Sequence, residues 1–480
     1  MRKKLLLVLV VALVLISVLT VLCACESYKA SAIKPAGDKN AAVESNGGLV
    51  VKQGGYLYFV NGYTGYLTEK GKDNWFGNVT KGAIVRVSYK ADGSLGNDYV
   101  VVVPKSIMAD SENVGFSIFG NYIYYVSPSA EEDRSGSVQT STLQFMRTKL
   151  DGTGTQVILN WNSTSVKYSY TPSALVYFDS ENSKLYSKSL SAKKFKKKDK
   201  GKCIDEEVTA VYFPKCDSYN PADKAKNVNE YVFYTKNSKD SFEYSNTLYV
   251  VHSSGSDKKV AIGPDSYQGG KYNISVLSSS QSNGKLAIYY TKTSYVGTSS
   301  SGTVEGTFAY EFADNKFTFG EAAEVKLSSE SLSNLFPISY TDGIVIAGSN
   351  KAVVYYTDGR DPLSFGDLTL NTLLAVQNGT FYYVNSENNL CYYKMDNSEN
   401  AHYAQKDKDT VMASFTGAEM FDGYIYFIKD DNYDYVNRVK IAGINIYDDS
   451  AYVYERVAIV TAEDQKKMDE EAESDSSDEK

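Results

Sequence analysis

The stretch Asp422-Gly423-Tyr424-Ile425-Tyr426-Phe427-Ile428, answered after a polar turn by Val436-Asn437-Arg438-Val439-Lys440-Ile441-Ala442-Gly443, decides the reading of this chain. A turn pair opens it, a short aromatic strand follows, and a second strand runs into another turn. The unit recurs as Gly120-Asn121-Tyr122-Ile123-Tyr124-Tyr125-Val126 with Leu143 to Gly152. It recurs again as Gly379-Thr380-Phe381-Tyr382-Tyr383-Val384-Asn385 with Leu390 to Asp396.

With the aromatic strand as the fixed mark, the pattern can be traced eight times. Its occurrences are 56–59, 122–125, 175–178, 231–234, 287–290, a degenerate Ile344-Val345-Ile346, 381–383 and 424–427. Tyr56 and Tyr424 are 368 positions apart over seven intervals, about 53 residues per repeat, close to the period of propeller-type repeats. The strands are apolar or aromatic at nearly every position, as a strand covered on both faces must be. A propeller provides that site, because each four-stranded blade is pressed between two neighbours and radial closure protects the sheet edges. Tyrosine suits such a layer, offering a large ring with a hydroxyl that reaches a partner near the rim. The expected fold is therefore all-β, a β-propeller of eight four-stranded blades, with seven as the alternative. Within a repeat, strands such as 115–119 and 372–376 are expected innermost, the aromatic strand second, and 155–159 fourth.

Composition agrees with this pattern. The 480 residues include 41 Tyr and 20 Phe against 2 Trp and 9 Pro, which favours strands and turns over helix. The net charge of −8 is unevenly placed: from Glu463 to Lys480 nine acidic residues face three lysines, so the tail carries −6 and the body is nearly neutral. No basic face of the kind that binds nucleic acid is expected. The run Lys193-Lys194-Phe195-Lys196-Lys197-Lys198 is the local exception. It reads as a solvated loop or protected edge, with contact to anionic wall polymer or lipid headgroups as the other reading.

The N-terminus reads as an export signal, with Arg2, Lys3 and Lys4 before an apolar run from Leu5 to Leu22. Leu22-Cys23-Ala24-Cys25 looks like a bacterial lipobox, with a small residue just before the cysteine that receives the diacylglyceryl group. Cys25 fits better than Cys23, which follows the bulky Leu22. An uncleaved membrane helix is the alternative. The expected divisions are a lipoprotein signal over 1–24, a flexible tether over 25–48 behind the lipidated Cys25, a propeller over 49–461 and a disordered acidic tail over 462–480. Either reading of the N-terminus places the body outside the membrane, on the extracellular face.

The segments Leu175 to Tyr186 and Phe381 to Asp396 resemble the repeats of low-density-lipoprotein-receptor-like β-propellers, including versions in secreted Gram-positive lipoproteins. Those repeats carry a Tyr-Trp-Thr-Asp core, and the nearest match here is Tyr355-Tyr356-Thr357-Asp358. Such propellers usually have six blades where this chain counts eight. The resemblance implies a fold and a tendency to bind partners.

Catalytic signatures are sparse. His252 and His402 fall on different repeats, which makes a histidine metal cage or hydrolytic triad hard to assemble. There is no nucleophile elbow, phosphate loop or dinucleotide fingerprint. Asp179-Ser180-Glu181-Asn182 and Asp430 to Asp434 hold oxygen ligands without calcium-loop spacing and are read as turns. No cofactor, metal or catalytic residue is therefore assigned. If Cys25 is lipidated, the mature chain retains Cys203, Cys216 and Cys391. The short span between Cys203 and Cys216 leaves open a disulfide or two thiols. The leading expectation is a monomeric, membrane-anchored binding or scaffolding module for a protein or envelope-glycan partner. The alternative is an extracellular carbohydrate hydrolase or lyase with axial carboxylates.

Overall fold

The computed structural model describes residues 32–61, 82–106, 115–128, 143–162, 166–214, 218–222, 230–237 and 246–262. It also describes further strands between 271 and 457 and short strands at 75–76 and 79–80. Every regular element among the described residues is a β-strand, and all strand pairs are antiparallel.

Each of the eight aromatic marks lies in a sheet of its own, between the strand before it and the strand after it; three of these sheets depart from the expected four strands, with six in the first, five in the fifth and three described in the seventh. The first sheet orders Val50–Gln53, Tyr56–Asn61, Ala83–Ser88 and Val100–Val103; the second, Ser117–Phe119, Tyr122–Pro128, Leu143–Lys149 and Gln156–Trp161. The third holds Lys167–Tyr170, Ala174–Asp179, Lys184–Ser189 and Lys202–Glu206, and the fourth Val208–Tyr212, Tyr231–Asn237, Asn246–His252 and Lys259–Ile262. In the fifth, Lys271–Ser282 and Lys285–Val296 precede Thr307–Ala313 and Lys316–Phe319, with Ser299–Thr303 paired to the long second strand. The sixth contains Phe336–Tyr340, Gly343–Ala347, Lys351–Tyr356 and Leu363–Gly366. Leu370–Gln377, Thr380–Asn385 and Leu390–Lys394 form the seventh, and Glu419–Phe421, Tyr424–Phe427, Val436–Lys440 and Glu455–Val457 the eighth.

Burial explains why the second strands lack a polar period. Leu57, Tyr58, Phe59 and Val60 are buried in succession, as are Ala174 to Tyr177 and Tyr231 to Thr235, so both faces of these strands are covered. What covers them is the next sheet. Phe145 of the second sheet meets Tyr168 of the third edge-on, with ring centres 5.0 Å apart, and the Tyr170 hydroxyl donates to the Tyr125 carbonyl at 2.9 Å. Ala174, Val176 and Leu185 of the third sheet join Val208, Val232 and Val251 of the fourth in one apolar layer. Phe233, Leu248 and Val250 of the fourth do the same with Ile274, Leu286 and Ile288 of the fifth. Farther along, the first strands 271–282, 336–340, 370–377 and 419–421 lie beside one another in order, which places first strands on the inside.

The eighth sheet then packs on the first. Strand 436–440 lies beside 56–61, and Phe421, Tyr426 and Val436 belong to the same apolar cluster as Leu57, Phe59 and Val85. Lys52 forms an ion pair with Asp422, and Arg438 donates to the Gly93 carbonyl at 2.7 Å.

Residues 32–48 differ from the tether expected there. Ile33, Val43 and Asn46 are buried, the Ile33 amide donates to the Asp151 carbonyl, and the Pro35 carbonyl accepts from Arg86 at 2.8 Å. Val43–Glu44 pairs with Lys52–Gln53, adding a strand to the inner edge of the first sheet. This segment is held mainly by backbone hydrogen bonds, which need no apolar period and therefore leave little trace in composition. The expected signal (1–24), the Cys25 anchor and the acidic tail lie outside the described residues.

Candidate interaction face

First-to-second and third-to-fourth strand turns emerge at one end of the sheets. Polar and charged side chains gather there in four groups.

The first group closes the ring. Asp422 opens the turn before the aromatic strand at φ 50° and pairs with Lys52, whose other partner is Glu44 at 3.1 Å. Burial of Lys52 works against its charge, but these two carboxylates outweigh it and hold the ammonium pKa above its ordinary value.

The second group is a repeated clamp. Arg86 lies over the Tyr56 ring at 4.1 Å, Arg147 over Tyr122 at 4.3 Å and Arg438 over Tyr424 at 4.4 Å. Strand register accounts for the recurrence. Each Arg sits on the third strand opposite the second tyrosine of a Tyr-x-Tyr pair, Tyr58, Tyr124 or Tyr426, and stacks diagonally on the first. Each guanidinium then donates to backbone carbonyls beyond its own sheet. Arg438 reaches Gly93 of the first sheet, Arg147 reaches Leu190 at 2.7 Å and Ala192 at 2.8 Å in the third, and Arg86 takes the inserted Pro35. Sequence reading missed these residues as a set. The signal was a Tyr-x-Tyr strand followed by an Arg two positions before the last strand residue, in three repeats that are adjacent around the ring.

The third group brings His252 near a carboxylate. Glu230 accepts from Ser173 at 2.6 Å and from Ser253, and the two hydroxyls are 3.0 Å apart, tying the third sheet to the fourth. His252 Nδ1 accepts from the Ser254 amide at 3.1 Å and faces Ser254 Oγ at 2.8 Å. Its Nε2 is 3.9 Å from Glu230, beyond hydrogen-bond reach. A hydrolytic relay needs the base held between nucleophile and acid. Here the imidazole closes a local hairpin turn and the acid is taken by two serines, an arrangement that locks sheets together.

The fourth group starts at this end and leaves it: the lysine-rich loop after the third strand of the third sheet runs along the fourth strand of the second sheet, from Gln156 at Lys193 to Asn160 at Lys197. Lys193, Lys194, Lys196, Lys197 and Lys198 are exposed, while Phe195 turns inward over the Arg147 guanidinium at 4.5 Å.

The remaining predicted positions can be placed individually. Asp179 accepts from Asn182 Nδ2 and from Lys200 at 2.9 Å, so this acidic turn is filled by protein donors, and they hold its carboxyl below the usual range against the opposing effect of burial. No group of three or more metal-ligating side chains forms among the described residues. Cys203 is a free, half-buried thiol donating to the Asp205 carbonyl at 3.4 Å, and burial pushes its pKa up. Cys216 and the Asp430 to Asp434 cluster lie outside the described residues. The expected channel mouth is altered at this end. Ser218–Tyr219, from the fourth sheet's first connection, pairs with Val43–Glu44 and extends the first sheet inward, and Tyr219 meets Phe119 edge-on at 5.1 Å.

No protein-family model and no curated protein matches the chain. Among solved structures, apo AztD from Citrobacter koseri aligns at 10% identity and a TM-score of 0.40, covering 79% of this chain and 92% of that one. The β-propeller domain of the Trilobed protease from Pyrococcus furiosus aligns at 10% identity and 0.34, covering 82% and 94%. Porphyromonas gingivalis dipeptidyl peptidase 4 aligns at 9% identity and 0.41, covering 86% of this chain and 59% of that one. Likenesses this distant carry no function across, and the reading below rests on the chain's own residues.

Proposed function

We propose that the chain is an eight-bladed propeller held at the outer face of the cell membrane by a diacylglyceryl group on Cys25. Its turn-bearing faces serve as a binding or scaffolding module for a protein or envelope-glycan partner. The observation that supports this most is the order of packing: each sheet rests on the next and the eighth on the first. Sheet faces are thereby consumed in holding the ring together, and the turns at the strand ends are what remains for a partner to touch. The lipobox supplies the location, since two acyl chains hold a protein stably where one does not.

Two measurements test the reading. Labelled fatty acid should enter the wild-type protein in a lipoprotein-exporting host and be absent from Cys25→Ala; label in the variant would rule out Cys25. The mature chain should bind purified envelope glycan or a surface protein saturably, with competition by unlabelled ligand. Absence of saturable binding to any of these would count against a binding module.

A further inference from the structure

We propose that the lysine loop 193–198 is a docking contact for anionic phospholipid headgroups, so that the anchored body lies with this edge toward the membrane. The inference rests on the lipid anchor at Cys25 and adds an orientation to it.

Three observations carry it. First, the loop is a built platform. The Lys193 carbonyl accepts from Gln156 at 3.1 Å, the Lys197 carbonyl from the Asn160 amide, the Lys196 carbonyl from the buried Lys188 ammonium at 3.2 Å, and Phe195 is seated on Arg147. Its backbone is therefore fixed from beneath while five side chains point out. Second, none of the five exposed ammonium groups forms an ion pair within 4 Å among the described residues, although Lys196 lies close enough to Asp199 to help hold that carboxyl below its usual range. The nearby Asp199 is engaged by Lys188, and Lys200 is taken by Asp179. In a body that is otherwise nearly neutral, five lysines within six positions form a local excess of positive charge. Clusters of four to eight such cations beside a membrane attachment are attracted to anionic lipid surfaces.

The third observation is where the chain enters the body. Ile33 donates to the Asp151 carbonyl, and Asp151 lies in the same hairpin of the second sheet, 143–161, whose Gln156 and Asn160 hold the lysine loop. Seven residues, 26–32, separate Cys25 from Ile33. The eight Cα steps from Cys25 to Ile33 reach at most about 29 Å when fully extended, so an anchored Cys25 keeps that hairpin close to the headgroups. A soluble anionic polymer would satisfy the charge equally, but the short reach from the anchor favours the lipid surface.

The test uses the full chain exported with its lipid and added to vesicles of phosphatidylcholine alone or phosphatidylcholine mixed with phosphatidylglycerol. Lysines are modified with a membrane-impermeant amine reagent and read by peptide mass. Lys167 serves as internal reference, because it lies on the first, inner strand of the third sheet, whereas the loop lies along the fourth, outer strand of the second. Labelling of Lys193 to Lys198 relative to Lys167 should fall about fivefold on the anionic vesicles, with salt restoring it. Equal labelling on both vesicles, with the N-terminal peptide carrying its diacylglyceryl mass, would overturn the orientation while leaving the anchor intact. An N-terminal peptide without that mass would overturn the anchor itself, and the orientation with it. Equal or greater protection by soluble polyglycerol phosphate at matched phosphate on phosphatidylcholine vesicles would assign the loop to a wall polymer and overturn the lipid contact.

Discussion

Arg147 shows how single residues hold neighbouring sheets. Its guanidinium lies between the Tyr122 and Phe195 rings, with carbonyls of the third sheet as acceptors. Replacing it with Met keeps much of the volume but leaves those carbonyls without donors. Arg147→Met should lower the unfolding free energy by about 2–3 kcal/mol in a denaturant melt. Arg147→Lys should recover only part of that loss, because an ammonium cannot reproduce the planar fork; full recovery would argue against the clamp geometry. Asp205 provides a pH signature. Burial opposes its charge, but hydrogen bonds from Lys258, Lys236 and Tyr234 prevail and hold its pKa at about 2. Since the folded pKa lies below the unfolded value of about 3.9, the stabilisation is complete above the unfolded pKa and is lost as pH falls toward 2. Asp205→Asn should therefore flatten the fall in stability across that acid window, and a curve as steep as wild type would remove Asp205 as its source. None of these pairings was legible beforehand, because the partners lie on different strands or sheets and a linear period does not report them.

Elements were more readable than residues. An uninterrupted apolar or aromatic run bounded by turn residues marks a strand covered on both sides, and each of the eight runs is an interior strand of its own sheet. Even the weak Ile344-Val345-Ile346 lies in Gly343–Ala347, between two partner strands. Turns were legible where Gly and Asp set them: Asp151 caps Thr153, and Asp92 caps Ser94 beside Gly93. The segment 32–48 was not legible, since its place depends on backbone groups and on the cleft between the first and second sheets. Two glycines separate backbone from packing effects. Both adopt positive φ, Gly93 at 81° and Gly423 at 75°, but a Cβ on Gly93 would come within 2.7 Å of the Tyr424 ring while one on Gly423 meets nothing within 4 Å. Gly423→Ala should cost about 1 kcal/mol, the backbone penalty alone. Gly93→Ala should cost distinctly more, since the turn must shift away from both Tyr424 and Arg438. Equal losses would mean that the first and eighth sheets do not meet there.

At the scale of the molecule, sequence periodicity predicted repeats but could not show that the last repeat returns to the first. Closure is made by individual contacts between residues hundreds of positions apart, such as the Arg438 bond to Gly93 and the Lys52 ion pair with Asp422. The interaction face was legible only in outline. The lysine run was visible as a charge cluster, but its seat on Arg147 and Gln156 and its closeness to the chain entry at Ile33 arise from packing between the second and third sheets. Closure is also the claim on which everything else depends, and a zero-length carbodiimide cross-link tests it directly by joining an ammonium to a carboxylate only when they touch. Lys52 and Asp422 should yield an intramolecular cross-linked peptide pair from the monomer, alongside the pairs Lys184 with Glu206 and Lys236 with Asp205 expected within single sheets or between neighbours. Recovery of those two pairs without any Lys52–Asp422 adduct would contradict the closed ring.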